Sequence, residues 1–290
     1  MHSLVLHNGA IQAAGELTIS PGQVGFLNGW GVFSTIRVKD GVLFAFERHY
    51  ARMQRDAGRM RVPFEASADH LERDLLKLVE ANQAFNATLR VAVVRNRGGQ
   101  FEGPGIERRA DLIAFTADLT EWGSEVSLMY VAHGRDSASP FAGTKVTSWS
   151  QNLCWNEEAH ERGFDEVILL NQDGQVSECT SANIFAVRGA EVWTPTLAGS
   201  GCLAGVTRAV LLEEIRVPGL KMIERDFAPS ELEEADQVFI TSTTRDLLAV
   251  GAVEGRKLRR NETAFGRLLG AFHQYQNSYV ATRDKREVAR

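Results

Sequence analysis

Lys145 lies in a stretch of small and apolar residues running from Phe141 to Trp149. Burial disfavours the ammonium form and lowers its pKa, the condition under which a lysine amine attacks a carbonyl and forms a Schiff base. A solvated lysine is the ordinary alternative. Glu178 closes the strand-like stretch Gln175–Glu178, immediately before the small polar run Cys179–Asn183. An acid at a strand end beside a loop is a frequent position for site chemistry, and a cap on the loop is its ordinary counterpart.

Three further segments offer contacts to an anion. The run from Gly199 to Gly205 has one residue too many for a G-x-G-x-x-G fingerprint, lacks the Gly-Lys-Ser/Thr ending of a phosphate loop, and follows Pro195 and a loop instead of a strand. What survives is a glycine-rich entry into a helix at Val206 and Thr207, whose first N–H groups and hydroxyl suit a phosphate. A second donor-rich turn, Thr241 to Arg245 with Thr243 and Thr244 at its centre, follows the strand-like Val238–Ile240. Capped helices and turns account for such signals equally well one at a time. On a helix reading of Phe46 to Met60, His49, Arg52 and Asp56 recur at i, i+3 and i+7, a stripe at the border of the apolar face from which an arginine reaches a cleft. Ordinary surface ion pairs are the competing reading.

These residues need elements to position them. Gly-punctuated strands at Leu4–Leu6, Phe33–Lys39 and Val42–Phe46, with a tight Asp40-Gly41 turn, are followed by two amphipathic helices and by strands at Leu89–Val94 and Asp111–Thr116. Beyond a strand at 126–132, the Gly/Ser/Ala/Pro stretch 134–143 suits a linker or active-site loop. Then come a helix over Trp149–Arg162 closed by Gly163, strands at Val167–Leu170 and Gln175–Glu178, a strand at Ile184–Val187, a helix from Val206 and a strand at Gln237–Thr241. The last helix carries Phe265, Leu268, Leu269, Phe272, Tyr275 and Tyr279 on one side, and the mixed-charge tail 283–290 is expected to be a solvated end. The expectation is a mixed α+β chain of two domains, 1–120 and 121–290, joined by a loop at about 133–143.

The composition agrees. A chain of 290 residues, 44% hydrophobic and 24% charged, is long enough for two packed domains and excludes a disordered or collagen-like chain. With 32 Lys+Arg against 37 Asp+Glu and a formal net charge of -5, an anionic ligand must be met by local cations, and no basic stripe with interleaved aromatics supports nucleic-acid binding. No apolar run reaches the roughly 18 residues of a membrane helix, and the N-terminal Met1–Leu6 has neither a basic start nor a long apolar centre, so a cytoplasmic protein without membrane attachment is expected. Cys154, Cys179 and Cys202 are widely spaced with no Cys-x-x-Cys pair; they are expected to be small buried side chains, with no disulfide framework and no metal site.

Lys145, Glu178 with Asn183-Ile184-Phe185 after it, His49 and Arg52 upstream, and Gly205-Val206-Thr207-Arg208 and Ser242-Thr243-Thr244 downstream together resemble the fold-type IV pyridoxal-phosphate enzymes. These include branched-chain and D-amino acid aminotransferases and aminodeoxychorismate lyase. The resemblance runs from about Leu6 to Val250, and it is the order of five pieces that makes it specific. It implies a small α+β N-terminal domain, a larger C-terminal domain with a barrel-like mixed sheet, pyridoxal 5'-phosphate as cofactor and a homodimer. It makes Lys145 the Schiff-base lysine and proton carrier, and Glu178 the acid that keeps the pyridine nitrogen protonated. Arg52, Val206, Thr207, Thr243 and Thr244 would hold the cofactor, chiefly at its phosphate.

Among members, Ser34 stands where branched-chain and D-amino acid enzymes tend to carry an acid, and it resembles the hydroxyl pair of the lyase; Glu178-Cys179 leans the same way. Ser242-Thr243-Thr244-Arg245 is similar to the transaminase phosphate turn. Where D-amino acid transaminases and the lyase place a cation, this chain has Gln100 or Glu102, so Arg37, Arg95 and Arg97 are candidates for the substrate carboxylate, with Phe33 and Trp149 beside them. The reading is a transaminase moving an amino group between an aliphatic, branched-chain-like amino acid and a 2-oxo acid by a ping-pong route. The lyase, which releases pyruvate, and a D-amino acid transaminase are the alternatives, and a non-catalytic protein retaining the fold is the alternative of another class.

Overall fold

In the computed structural model of the chain, which describes residues 1–100, 102–104 and 106–288, two compact units form. The first comprises Met1–Thr120, Thr144–Trp149 and Ser278–Arg290, and the second comprises Glu121–Gly143 and Ser150–Asn277. The division thus departs from a single cut near residue 120, because two later segments pack with the first unit.

The first unit opens with β1 (Leu4–His7) and β2 (Ala10–Ala13), then a short α1 (Val24–Asn28), β3 (Gly31–Lys39), β4 (Val42–Leu43), α2 (Phe46–Arg59), α3 (Ala68–Ala81), β5 (Ala87–Arg95) and β6 (Ala110–Ala117). Its strands form one antiparallel sheet in the order β2-β1-β6-β5-β3-β4. The Asp40-Gly41 turn takes positive φ at both residues, as a two-residue hairpin requires. The strand expected at Val42–Phe46 ends at Leu43. Ala45 adopts a left-handed conformation that turns the chain, and Phe46 becomes the first helical residue of α2.

Alternation in β3 and β5 decides what faces what. Val32, Ser34, Ile36 and Val38 of β3, and Leu89, Val91 and Val93 of β5, are buried, and the apolar ones join Phe46, Met53, Leu71, Leu75 and Leu78 of α2 and α3 in one core. The odd positions of β3 and the even positions of β5 lie on the opposite face.

The second unit contains β7 (Glu125–Val131), α4 (Ser150–Glu161), β8 (Glu166–Leu170), β9 (Val176–Cys179), β10 (Asn183–Arg188), β11 (Glu191–Thr194), α5 (Leu197–Ser200), α6 (Val206–Glu213), β12 (Lys221–Glu224), α7 (Pro229–Glu234), β13 (Gln237–Ser242), β14 (Asp246–Val253) and β15 (Arg256–Lys257). The long α8 (Glu262–Val288) follows. The strand order is β12-β11-β10-β13-β14-β7-β8-β9, with β15 on β14. Pairs β11–β12, β14–β7 and β7–β8 are parallel and the others antiparallel, so the sheet is mixed. β9 lies at one end of that order, yet it leads into β10 by a turn closed by Cys179 N–H donating to Ala182 C=O. The sheet therefore curls back on itself, giving the barrel-like mixed sheet expected. Its interior is apolar, with Leu128, Ile168, Ile184, Trp193, Val238, Ile240 and Val250 in one buried cluster.

Four strands escaped the sequence reading here, β11, β12, β14 and β15. Cys179 and Cys202 are buried as expected, but Cys154 is exposed on α4. The tail is not a loose end at Arg283, which is helical and donates to Glu47 and Glu72; residues 289 and 290 lie outside the described residues. No helix among the described residues is long and apolar enough to cross a membrane.

Candidate active site

Lys145 belongs to the first unit, and its backbone is fixed from several directions. Phe33 N–H of β3 donates to Lys145 C=O at 3.1 Å, Thr147 N–H donates to Gly31 C=O at 2.9 Å, and Val146 bridges Val32, so residues 145–147 extend the sheet edge beside the start of β3. Asp56, only 1% exposed, accepts from the Lys145 N–H through Oδ2 at 3.1 Å. Its Oδ1 accepts two bonds from Arg55, at 2.9 and 2.7 Å. The lysine ammonium lies 4.6 Å from the centroid of the Phe33 ring, a cation–π contact, and Phe33 meets Trp149 edge-on at 6.4 Å. Phe33, Trp149 and Lys145 are thereby brought together.

The His49, Arg52 and Asp56 stripe is buried, not a surface run of ion pairs. Ser34 is what it packs against. Its Oγ accepts from Arg52 Nη2 at 2.8 Å and lies 2.8 Å from His49 Nδ1. A hydroxyl oxygen accepts twice and donates once, so this contact is satisfied by a neutral imidazole in either tautomer. The direction of the His49 pKa agrees: burial, then the charges of Arg52 and Lys145, hold it well below the ordinary 6.5. A serine at position 34 thus leaves Arg52 with a neutral partner there, and its charge is not cancelled at that contact.

In the second unit Glu178 is 7% exposed and held at both oxygens. Oε1 accepts from Arg135 Nε at 2.9 Å, and Oε2 accepts from Leu203 N–H at 3.1 Å. Arg135 also reaches Gly134 C=O and Asn152 Oδ1, and Asn152 donates to Thr180 C=O, so the loop after Glu178 is tied to the same guanidinium. An acid held at both oxygens by a guanidinium and a backbone N–H is fixed in orientation, as a contact to the proton on a facing base requires. Arg135 lies in the stretch read from sequence as a linker. A lone arginine among Gly, Ser and Ala carries no local sign of its partner 43 residues away.

The two anion turns also meet in this unit. α6 starts at Val206 with Gly205 as N-cap and no side-chain cap on its first N–H groups; Val206 and Thr207 are buried. Asn183 donates to Leu203 C=O at 2.9 Å, and a Cβ on Gly205 would overlap the Asn183 side-chain oxygen. Asn183 is the β10 residue paired in register with Thr241 of β13, whose Oγ1 is buried without a hydrogen-bond partner. From there the chain turns through Ser242, Thr243 and Thr244, with the Ser242 and Thr244 hydroxyls 3.3 Å apart and Thr244 C=O accepting from Trp122 Nε1. The next residue, Arg245, covers the Trp122 ring at 4.0 Å and pairs with the fully buried Glu166, which also accepts from Thr180 and Ser181. Neither Glu166 nor Arg245 was singled out from sequence for this role; both need the folded sheet to be neighbours.

The substrate-side arginines fare differently. Arg95 stacks on Trp30 at 4.2 Å and donates to the carbonyls of Arg97 and Arg61, while Arg97 is exposed and paired with Glu102 at 2.8 Å. Both have protein partners. Arg37 is half-buried on β3 and also makes contacts of its own.

A lysine whose backbone is clamped and whose amine lies on an aromatic face suits attack on a carbonyl carbon, the chemistry of an enzyme that handles amino groups through an aldehyde cofactor. The family model for class IV amino-transferases matches residues 31–253, and the chain belongs to this family. It is 28% identical over 258 residues to a D-alanine aminotransferase of Bacillus licheniformis, covering 88% of this chain and 89% of that protein. To an aminodeoxychorismate lyase of Vibrio harveyi it is 28% identical over 249 residues, covering 84% and 89%. Its fold is that of the branched-chain amino acid aminotransferase from Escherichia coli, with a TM-score of 0.86, 22% identity and 95% of each chain covered.

Class IV aminotransferases use pyridoxal phosphate, and so does this enzyme. The residues present fit that group: an uncapped helix start beside the unpartnered Thr241 hydroxyl suits a phosphate, and the doubly held Glu178 suits a protonated ring nitrogen. Replacing Gly205 with alanine is expected to push α6 off Asn183. Pyridoxal phosphate affinity should fall about 10-fold or more, the range for losing charge-assisted bonds, as measured by equilibrium dialysis against the free cofactor.

Proposed function

We propose that this enzyme is a transaminase that moves an amino group between an aliphatic amino acid and a 2-oxo acid in two half-reactions. The observation that carries the reading is Lys145, with its backbone pinned by Asp56 and β3 and its ammonium on the Phe33 ring. When bound, pyridoxal phosphate supplies an aldehyde that takes up the amino group and a ring that accepts electrons as the Cα proton leaves.

The protein's part follows from its own groups. The Lys145 amine would hold the cofactor at its aldehyde and would be the group that takes the proton from the substrate Cα. Glu178, held at both oxygens by Arg135 and the Leu203 N–H, would face the ring nitrogen and keep its proton in place. The α6 N–H groups at Val206 and Thr207 and the Thr243–Thr244 turn would hold the phosphate, with Arg52 assigned to it by the family resemblance. Phe33 and Trp149 offer an apolar wall to an aliphatic side chain and exclude water beside the amine. A homodimer is part of this reading, carried by the family resemblance.

Ser34 favours the second reading, a lyase releasing pyruvate from aminodeoxychorismate, because it supplies a hydroxyl where the transaminase pattern has an acid. The test is an amino-donor panel covering both enantiomers of aliphatic amino acids, with 2-oxoglutarate or pyruvate as acceptor. Amino transfer from an aliphatic donor is expected. Pyruvate release from aminodeoxychorismate without any acceptor, and no amino transfer, would replace the transaminase reading with the lyase.

A further inference from the structure

Arg245, the residue after Thr244, is tied to more of the second unit than its place in a turn requires. Its side chain is 7% exposed, and its guanidinium is occupied at both edge and face. Nη2 lies 3.3 Å from Oε2 of the fully buried Glu166, Nη1 donates to Ser181 Oγ at 2.8 Å, and the Trp122 ring covers one face with Cζ 4.0 Å from its centroid. The backbone beside it is held too: Arg245 N–H donates to Ser242 Oγ at 3.2 Å, and Trp122 Nε1 donates to Thr244 C=O at 2.9 Å. Glu166 begins β8 and also accepts from the Thr180 and Ser181 hydroxyls, which belong to the loop that leaves Glu178. One ion pair therefore joins the turn after β13 to the loop after β9, with Arg245 and Ser181 64 residues apart in the chain. The turn has need of such ties. Ser242 and Asp246 pair across it in register, and Asp246 takes a left-handed φ of 51°, a conformation that favours glycine. A buried ion pair adds little net stability over a well-packed apolar pair, yet it fixes direction and distance, so a guanidinium at this position serves orientation more than stability.

We propose that Arg245 is a positioning residue for the cofactor site: with Glu166 and Trp122 it holds the Thr243–Thr244 turn in the orientation that meets the phosphate, and it keeps that turn in register with the loop that leaves Glu178. The proposal deepens the transaminase reading and rests on its assignment of the Thr243–Thr244 turn to the phosphate. Arg245 acts through the turn and does not itself touch the cofactor. Its charge is met by Glu166, so what it contributes is geometry: the threonine donors stay aimed at one point, and without the ion pair the turn relaxes and they move off it.

The test measures cofactor affinity instead of turnover. Full-length enzyme stripped of cofactor is dialysed to equilibrium against pyridoxal phosphate and, separately, against pyridoxal, which lacks the phosphate; a melting curve is recorded on each protein. Arg245→Met is expected to weaken pyridoxal phosphate by about 10- to 100-fold, the worth of a charge-assisted bond put out of place, and to leave pyridoxal affinity nearly unchanged. Arg245→Lys should recover part of the loss through one bond to Glu166. Arg245→Met also strands a buried carboxylate and should lower the melting temperature. The double change Glu166→Gln with Arg245→Met removes that charge and should regain stability without regaining affinity, which separates positioning from mere support of the fold. Trp122→Phe keeps a ring beneath the guanidinium and removes only the donor to Thr244 C=O; since Trp122 is exposed, the melting temperature should hold while pyridoxal phosphate affinity falls about 3- to 10-fold, the range of one neutral hydrogen bond. Wild-type affinity in Arg245→Met or in Trp122→Phe would overturn the proposal. So would an equal loss for pyridoxal phosphate and pyridoxal, or affinity that returns with stability in the double variant. Should Arg245→Met fail to fold, Trp122→Phe decides the matter alone. If the wild-type enzyme binds pyridoxal as tightly as pyridoxal phosphate, the phosphate assignment itself fails first, a result separate from all of these.

Discussion

Replacing Lys145 with alanine is expected to lower turnover by about 10⁴-fold or more, because it removes both the covalent attachment and a positioned acid–base group worth up to that factor by itself. The fold should survive. The contacts that order this segment are made by its backbone, namely the N–H to Asp56, the carbonyl to Phe33 and the neighbouring Thr147 N–H to Gly31, and alanine keeps them. The clean expectation is therefore loss of turnover at unchanged thermal stability, read by single-turnover kinetics and a melting curve on the same sample. Added small amines should restore part of the rate, since what is missing is an amine in a site that is otherwise in place. Turnover within about tenfold of wild type, far short of the loss of an acid–base group, would remove Lys145 from the mechanism.

The second large effect is expected at Glu178. Changing it to glutamine keeps the size and one acceptor but removes the charge, so the ring nitrogen is no longer held protonated. The Cα proton step should slow by about 10²-fold or more, within the range of a lost acid–base contribution, while cofactor affinity, which rests on the phosphate cradle, changes little. A substrate deuterated at Cα separates the outcomes: the isotope effect should grow as that step becomes rate-limiting. The substitution also leaves Arg135 facing a neutral amide. Breaking a buried ion pair costs about 3 to 5 kcal/mol where the charge stays buried, but Arg135 is partly open to water, with 23% of its side chain exposed, so the stability loss should be smaller. An unchanged proton-transfer rate would take Glu178 out of the reaction.

How much of this was legible beforehand follows from the range of the interactions concerned. Lys145, Glu178 and the α6 start were visible because each carries a local signature: an amine in a small and apolar stretch, an acid at a strand end, glycines before a helix. The Asp40-Gly41 hairpin and the helical spacing of α2 were equally local, and the model family match over residues 31–253 agrees with the ordered motifs. What was missed is what depends on sheet pairing. Segment 145–147 packs with the first unit through the β3 edge, although it lies more than 100 residues further along the chain. Arg135 and Arg245 acquire their partners Glu178 and Glu166 only when β14, β7, β8 and β9 pair side by side. Arg95 and Arg97 attracted notice through a glycine-rich loop, yet their donors go to carbonyls and to Glu102.

The most direct measurement is borohydride reduction of the enzyme loaded with pyridoxal phosphate, followed by peptide mass mapping. A stable pyridoxyl adduct on Lys145 is expected, absent from Lys39, Lys77, Lys221, Lys257 and Lys285, and lost when an amino donor converts the cofactor before reduction. No adduct under saturating cofactor, or an adduct on another lysine with Lys145 unmodified, would contradict the account.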